Sequence, residues 1–156
     1  MTPYYKECFE KGLEYQDFVA DMLADKYSIL LTSYSSERYQ LAVGENRQGI
    51  EIKFDDQFKN TGNLYIEFAE KRNGDNEKYV DSGIMREDNS WLYLIGDYNN
   101  IYIFGINFLK RMYISKKYKE VETPTSKGFL INKETADKWA TNIIKIEQEV
   151  KAPWED

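Results

Sequence analysis

The chain has 156 residues, of which 42% are hydrophobic and 15% aromatic, and its net charge is −6. This composition predicts one folded domain over residues 1–156 and excludes an intrinsically disordered chain. The sequence contains no histidine and one cysteine, which excludes histidine-dependent catalytic triads, the usual zinc sites and an internal disulfide. Catalysis would therefore depend on carboxylates, lysine, tyrosine or a hard metal ion.

Composition also bears on the location and partners of the chain. Charged residues interrupt its start and no apolar run is long enough to cross a membrane. We therefore expect a cytoplasmic protein with no signal peptide and no membrane partner. The negative charge counts against a nucleic-acid partner, because phosphate binding usually needs a basic surface. Catalytic acids that hold metal ions would remove part of this objection.

The first predicted element is an amphipathic helix over residues 4–26, where apolar side chains recur with helical period. Glu14 belongs to the acidic stripe opposite the apolar arc, and a solvated face is the simpler interpretation of that stripe. Gln16 falls inside the apolar arc, where a polar side chain needs a partner. A core amide bonded to the backbone is the competing interpretation of Gln16.

Short strands are predicted next over residues 28–33 and 38–43, with a Ser-Tyr-Ser-Ser turn between them. After a strand over residues 50–55, a polar loop leads into a further strand over residues 63–71. Leu64 and Ile66 alternate there with polar residues, which is the period of a strand with one buried face.

Residues 50–55 alternate apolar and charged side chains, so they predict a strand with its apolar side on a core. Glu51 and Lys53 then share the polar side, shortly after a loop that carries Glu45. Carboxylate oxygens in this number suit Mg²⁺, which takes carboxylates and retained waters. A lysine beside the ion can orient an attacking water or neutralise charge on a phosphate.

Glu67 falls on the polar side of the strand over residues 63–71. If that strand paired with residues 50–55 as a hairpin, Glu67 would stand beside Glu51 and Lys53. The polar strand faces would then bring three acids and one amine together.

Residues 72–89 are polar and lack periodicity, which predicts a long loop. It contains Lys78, Ser82 and Arg86, and long loops with small and basic residues often carry function. One interpretation of these three residues is contact with a nucleic-acid backbone. The other is a plain surface loop.

A hairpin is predicted from residues 91–95 and 100–106, followed by a helix over residues 107–118 with Asn107 as its cap. Four basic residues lie on this helix or at its end: Lys110, Arg111, Lys116 and Lys117. They could follow a phosphate backbone. A solvated helix end, where cations suit the helix dipole, is the competing interpretation.

The last predicted elements are a short strand over residues 128–131 and a helix from the Asn132 cap to about residue 146. Trp139, Ile143 and Ile146 would form the buried stripe of that helix.

Glu45 and the triplet Glu51-Ile52-Lys53 resemble the signature of the PD-(D/E)XK nuclease superfamily, in which an acid precedes Glu-X-Lys on the next strand. The sequence around the triplet is similar to that of bacterial and phage members, although the family usually has Asp where this chain has Glu45. The order of a helix followed by strands is also similar. The resemblance covers about residues 11–119 and leaves 120–156 as a C-terminal extension.

This resemblance implies an α/β (α+β) fold with a restriction-endonuclease-like core. In that fold an N-terminal helix packs on a mixed central sheet and further helices follow towards the C-terminus. It implies a metal-dependent nuclease acting on nucleic acid, with DNA favoured over RNA and RNA left open, and a relation to phages or mobile elements. Dimers are common in the family, so a homodimer stays open.

The resemblance also implies residue roles. Glu45 and Glu51 would bind Mg²⁺, for which Mn²⁺ can substitute, and the Ile52 carbonyl would add a ligand. Lys53 would hold the attacking water in line with the phosphorus.

Two further positions would complete this set. Glu67 would orient waters or add a ligand, and either Glu14 or Gln16 would contribute from the first helix, which often delivers an acid in the family. Two alternatives stay open: a nuclease fold without turnover that binds nucleic acid or protein, and a protein-interaction domain with a tyrosine-rich surface.

Overall fold

The computed structural model describes residues 3–71, 78–146 and 154. Within them the helices are α1 (Pro3–Tyr27), α2 (Glu37–Ala42), α3 (Phe58–Thr61), α4 (Ile106–Ser115) and α5 (Lys133–Trp139), with a 3₁₀ turn at Gly83–Met85. The strands are β1 (Ile50–Phe54), β2 (Asn63–Glu70), β3 (Val80–Asp81), β4 (Leu92–Gly96), β5 (Asn100–Gly105), β6 (Glu120–Glu122), β7 (Ser126–Asn132) and β8 (Asn142–Lys145). The α+β class predicted from the sequence is confirmed.

The strands form two four-stranded sheets. The first has the order β1-β4-β5-β8 and is mixed, because β1 runs parallel to β4 while the other pairs are antiparallel. The second has the order β3-β2-β7-β6 and is antiparallel throughout. In the parallel pair Glu51 lies opposite Tyr93 and Lys53 lies opposite Ile95.

Helix α1 covers one face of the first sheet, as predicted for the N-terminal helix. Tyr15 and Val19 of α1 are fully buried against Ile50 and Ile52 of β1. The Tyr15 hydroxyl also donates a hydrogen bond of 3.0 Å to the carbonyl of Asp97, at the β4–β5 turn. The helix is thus packed on β1 and also hydrogen-bonded to the β4–β5 turn.

A second apolar cluster contains residues from both sheets and from the 3₁₀ turn, α4 and α5. Leu64 and Ile66 of β2, Phe104 of β5 and Leu109 of α4 are fully buried in it. Since Leu64 and Ile66 face this core, the alternate residues of β2 face the other way. None of the helices in the described ranges has the length and apolar character needed to cross a membrane.

The predicted hairpin between residues 50–55 and 63–71 is wrong. β1 pairs with β4, while β2 pairs with β3 and β7. The Asp55 carboxylate explains the change of sheet, since it accepts hydrogen bonds from the backbone N–H groups of Gln57 (3.2 Å), Phe58 (3.1 Å) and Tyr65 (2.8 Å). These bonds hold a turn that directs the chain from the first sheet into the second.

The strands predicted over residues 28–33 and 38–43 are also wrong. The second is helix α2, whose first turn is capped because the Ser36 hydroxyl accepts a hydrogen bond of 3.2 Å from the Tyr39 N–H. The first contains only an isolated bridge between Ser33 and Asn46.

The C-terminal predictions are partly confirmed. Asn132 caps α5 through a hydrogen bond of 2.8 Å from the Thr135 N–H, but α5 ends at Trp139, which is 49% exposed. Residues 142–145, predicted as helix, form β8 beside β5. Helix α4 begins at Ile106, so Gly105 and not Asn107 is its cap residue. Residues 120–146, assigned to the extension, supply strands to both sheets.

Candidate functional site

Two carboxylates lie within 4 Å of the ammonium group of Lys53, and a third acts on it electrostatically. Lys53 Nζ lies 3.2 Å from Glu51 Oε1 and 3.9 Å from Glu45 Oε1, and the charge of Glu67 also acts on Lys53. We call Glu45, Glu51, Lys53 and Glu67 the Lys53 cluster. The structure therefore brings together four of the six predicted catalytic residues, although Glu67 arrives from the second sheet.

The local sequence of β1 explains how two members of the cluster are placed. Ile50 and Ile52 face α1, so Glu51 and Lys53 project from the opposite face of the strand. Asn46 fixes the start of β1, because its side chain donates 2.7 Å to the Ile50 carbonyl and accepts 3.0 Å from the Ile50 N–H. The strand is thus held on its outer edge as well as by β4.

Glu51 is the most unusual member of the cluster. It is 2% exposed, and among the described residues its Oε2 atom has no hydrogen-bond partner. A buried charged oxygen without a donor is costly. This oxygen is thus an open ligand position for a proton, a water or a cation.

The charges of the cluster do not balance, since three carboxylates share one ammonium group. Burial alone would lower the pKa of Lys53, but Glu51, Glu45 and Glu67 raise it above its ordinary value. Burial raises the pKa of Glu45 and of Glu67, and Lys53 only partly offsets this increase. The site therefore keeps a charged lysine and has a deficit of positive charge.

Glu67 is positioned by the segment before the 3₁₀ turn. The Ser82 hydroxyl donates a hydrogen bond of 2.9 Å to Glu67 Oε2, and Ser82 is 3% exposed. Gly83 follows with a φ of +53°, and a Cβ at this position would lie 2.1 Å from the Glu67 carbonyl oxygen. Only glycine allows this close approach.

The Ile52 carbonyl points to the outer edge of β1. Gly49 and Asp55 direct their backbone groups towards β4, whereas Ile50 directs both of its groups to Asn46. Because N–H and C=O groups change sides with each residue of a strand, those of Ile52 share the direction of Ile50. The Ile52 N–H consequently donates a hydrogen bond to Glu45 at this edge, which opposes the rise in the pKa of Glu45 caused by burial.

A cavity of about 800 Å³ opens beside the cluster. Lys53 and Glu67 line it, together with Tyr93 of β4 and Tyr65 of β2. Burial, and then the charges of nearby carboxylates, raise the pKa of Tyr93 well above its ordinary value, so its hydroxyl stays protonated. The cavity gives an external molecule access to the lysine and to one carboxylate of the cluster.

The structure does not bring Glu14 or Gln16 into the cluster. Helix α1 packs on the face of β1 that carries Ile50 and Ile52, opposite to the cluster. Glu14 is exposed and Gln16 is half-buried. No hydrogen bond or ion pair among the described residues joins either one to the four cluster residues.

The predicted nucleic-acid contacts have different surroundings. Ser82 is buried against Glu67 and is not a surface contact. Arg86 donates hydrogen bonds of 2.9 and 3.0 Å to the carbonyls of Gln40 and Leu41, at the end of α2. Its guanidinium is thus engaged within the protein, whereas Lys78 is exposed.

The basic residues of α4 also differ from one another. Lys116 pairs with Glu120 at 3.0 Å and lies over the Tyr113 ring. Arg111 and Lys117 are exposed, and Lys110 is half-buried.

The cluster suits a hard cation by its chemistry, although it does not form a complete ligand set. No group of three or more histidine, cysteine or acidic side chains in the described ranges is arranged to hold a metal ion. Mg²⁺ needs only one or two protein carboxylates, because it keeps several waters. Glu51 with its unpartnered oxygen, and Glu45 near the Ile52 carbonyl, meet that smaller requirement.

Sequence reasoning missed the residues that support the cluster. Tyr93 and Asn46 gave no signal, since a tyrosine in an apolar strand and an asparagine in a loop are common. Asp55 ends the alternating segment of residues 50–55, but its role in the turn depends on contacts with β2. Gly83 lies in the segment that was noted for its small residues.

Comparisons with protein-family models, with curated proteins and with solved structures found no match to this chain. The likeness to PD-(D/E)XK nucleases therefore depends on the motif residues and the order of elements, and it stays a prediction.

Proposed function

We propose that the chain is a cytoplasmic, metal-dependent nuclease that hydrolyses phosphodiester bonds of nucleic acid at the Lys53 cluster. The observation that carries the proposal is the buried Glu51 Oε2, which has no hydrogen-bond partner in the described part of the chain and belongs to a group of three carboxylates and one lysine. A divalent cation would fill this ligand position and offset the excess of negative charge.

The residues have distinct roles in this proposal. Glu51 and Glu45 would hold Mg²⁺, with the Ile52 carbonyl as a third oxygen, and the bound ion would acidify a water and neutralise phosphate charge. Lys53 lines the cavity and donates to the attacking water or to a phosphate oxygen. Glu67, fixed by Ser82, orients water on the cavity side.

The test is cleavage of plasmid, branched and single-stranded nucleic acids in Mg²⁺ or Mn²⁺. Lys53→Ala would leave Glu51 buried without a cation, so the double variant Glu51→Gln/Lys53→Met is the better choice because it removes both charges and keeps the side-chain volumes. We expect its rate to fall at least about 100-fold, as for loss of a proton-handling group. Lys26→Ala, at the exposed end of α1, is the matched control.

Two outcomes would contradict the nuclease assignment. One is wild-type protein that cleaves no nucleic acid with either metal ion. The other is a folded double variant, verified by circular dichroism, that cleaves as fast as the wild type.

One observation favours a second candidate, a nuclease fold that binds nucleic acid without turnover. Helix α1 brings no acidic side chain to the cluster, since Glu14 is exposed and the packed face of α1 lies behind β1. Nucleic-acid binding that persists in the double variant, without cleavage by either protein, would favour this candidate.

A further inference from the structure

The cavity beside the Lys53 cluster is a well with a buried floor and an exposed rim. Tyr93 and Ile95 on its floor are 1% and 2% exposed, whereas Tyr4 on its rim is 77% exposed. Its volume of about 800 Å³ lies within the range of pockets that hold one small ligand. The well is therefore large enough for a nucleotide and too small for a duplex.

The lining surface is mostly apolar, and its polar groups carry little positive charge. Amides and hydroxyls predominate among its polar groups: Gln57, Thr61, Asn63, Tyr65, Thr123, Thr125 and Ser126. The charged lining residues are two cations, Lys11 and Lys53, and three acids, Asp55, Asp56 and Glu67. A duplex would present phosphates on two strands and needs a broad basic surface, so this lining favours a nucleotide whose base edge is free to form hydrogen bonds.

Tyr65 provides a rigid aromatic wall of the well. Its hydroxyl is 2.7 Å from the Ser126 hydroxyl, which is itself 2.9 Å from the Thr123 hydroxyl. The ring lies directly against Gly128, where a Cβ would come within 2.5 Å of two of its carbons. A ring held at its tip and on one side is a preorganised surface for a base, because stacking then requires no further ordering.

Tyr65 and Glu67 lie on the same face of β2, two residues apart, which is roughly 7 Å along a strand. Both line the well, as does Lys53. A base on Tyr65 would thus place its own or the adjacent phosphate near Lys53 without crossing the apolar core.

We propose that the well binds one unpaired nucleotide of a single strand, with its base against Tyr65 and its phosphate towards Lys53. The substrate class is then single-stranded nucleic acid or an unpaired end, not continuous duplex. This inference rests on the proposed function, because a phosphate near Lys53 is positioned for cleavage only if the chain is a nuclease. The binding step itself requires no cleavage.

The test is fluorescence anisotropy with a short labelled oligodeoxynucleotide, its perfect duplex and an RNA strand of the same sequence, at low salt in EDTA and in Ca²⁺. We expect a single strand, DNA or RNA, to bind at least tenfold more tightly than its duplex. Tyr65→Leu should weaken single-strand binding about tenfold, as expected when base stacking is lost.

Two variants act as controls for the ring. Tyr65→Phe keeps the ring and should bind nearly as well as the wild type. Tyr39→Leu removes a ring that is 58% exposed on α2, outside the well, and should have no effect. If Tyr65→Leu does not fold, the comparison of single strand with duplex on wild-type protein still decides the question.

Equal or tighter binding of the duplex would overturn the inference, as would unchanged single-strand binding by a folded Tyr65→Leu variant. Single-strand preference without cleavage in Mg²⁺ or Mn²⁺ supports the inference and contradicts the nuclease proposal. Cleavage of duplex and single strand at equal rates, unaffected by Tyr65→Leu, supports the nuclease and overturns the inference.

Discussion

At the scale of single residues, the Lys53 cluster is shaped by competition between burial and charge. Lys53 remains charged because Glu51 and Glu45 lie within 3.9 Å of its ammonium group. Glu67 receives a hydrogen bond from Ser82, yet burial still raises its pKa. An acid of this kind reduces stability when it ionises, so its presence favours a role that requires negative charge.

Substitution of Glu67 should stabilise the protein in a pH-dependent manner. Its raised pKa means that the folded state holds the proton more tightly than the unfolded state, whose value is 4.5. The stability linked to that proton is present below pH 4.5 and is lost as the pH rises through the folded pKa. We expect Glu67→Gln to raise the melting temperature at about pH 7.5 in EDTA and to change it little at about pH 4.

The control for this measurement is Glu87→Gln, at an exposed position, which should leave both melting temperatures unchanged. A Glu67→Gln variant that melts at or below the wild-type temperature near neutral pH would contradict the account of Glu67.

At the scale of elements, the approach of the 3₁₀ turn to β2 depends on Gly83. Its φ of +53° lies in the left-handed region, and a Cβ would come 2.1 Å from the Glu67 carbonyl oxygen. We expect Gly83→Ala to destabilise the fold by at least about 2 kcal/mol through strain and displacement of the turn. Urea denaturation measures this change.

A matched glycine substitution should have the opposite sign. Gly12 lies within α1, where an added Cβ would meet no atom within 4 Å, so Gly12→Ala should stabilise by about 0.5–1 kcal/mol. Equal unfolding midpoints for Gly83→Ala and the wild type would show that the turn moves without cost.

The elements that were predicted correctly have strong local signals. The 3.6-residue period of α1, the alternation in β2, the apolar hairpin of β4 and β5 and the Asn132 cap can be recognised without knowledge of the fold. The wrong secondary-structure predictions occur where non-local contacts decide the structure. Residues 142–145 continue the pattern of a helix, but β5 offers them an open strand edge.

In the candidate site, too, features with a local sequence signal were predicted and features set by non-local contacts were not. Alternation on β1 was sufficient to place Glu51 and Lys53 on one face, and that placement is confirmed. The arrival of Glu67 was predicted through the wrong strand pairing, because no local signal shows that the Asp55 turn leads to a second sheet. The contributions of Ser82 and Tyr93 depend on packing between distant segments, so the sequence alone does not predict them.

At the scale of the whole molecule, the excess of acid predicts coupling between metal binding and stability. The net charge is −6, and the Lys53 cluster concentrates negative charge where water is scarce. If Mg²⁺ binds the folded state alone, saturation should raise the unfolding free energy, by about 2.7 kcal/mol at 100 times Kd. Thermal unfolding with increasing Mg²⁺ measures this shift, with NaCl of equal ionic strength as the reference.

The isosteric variant Glu51→Gln should lose the stabilisation by Mg²⁺, because it removes the charge at the buried ligand position. A melting temperature of the wild type that rises no further with Mg²⁺ than with NaCl would argue against a cation at the Lys53 cluster.

The contact between Asn46 and Ile50 has a consequence for self-association. The side-chain amide of Asn46 donates to and accepts from Ile50, as the peptide group of an adjoining strand would. Strand edges with unpaired backbone groups are templates for fibre growth, and proteins protect them with side chains and charges. Asn46 occupies the backbone N–H and C=O of Ile50 in place of a neighbouring strand. Another copy of the chain therefore cannot pair with β1 at this residue.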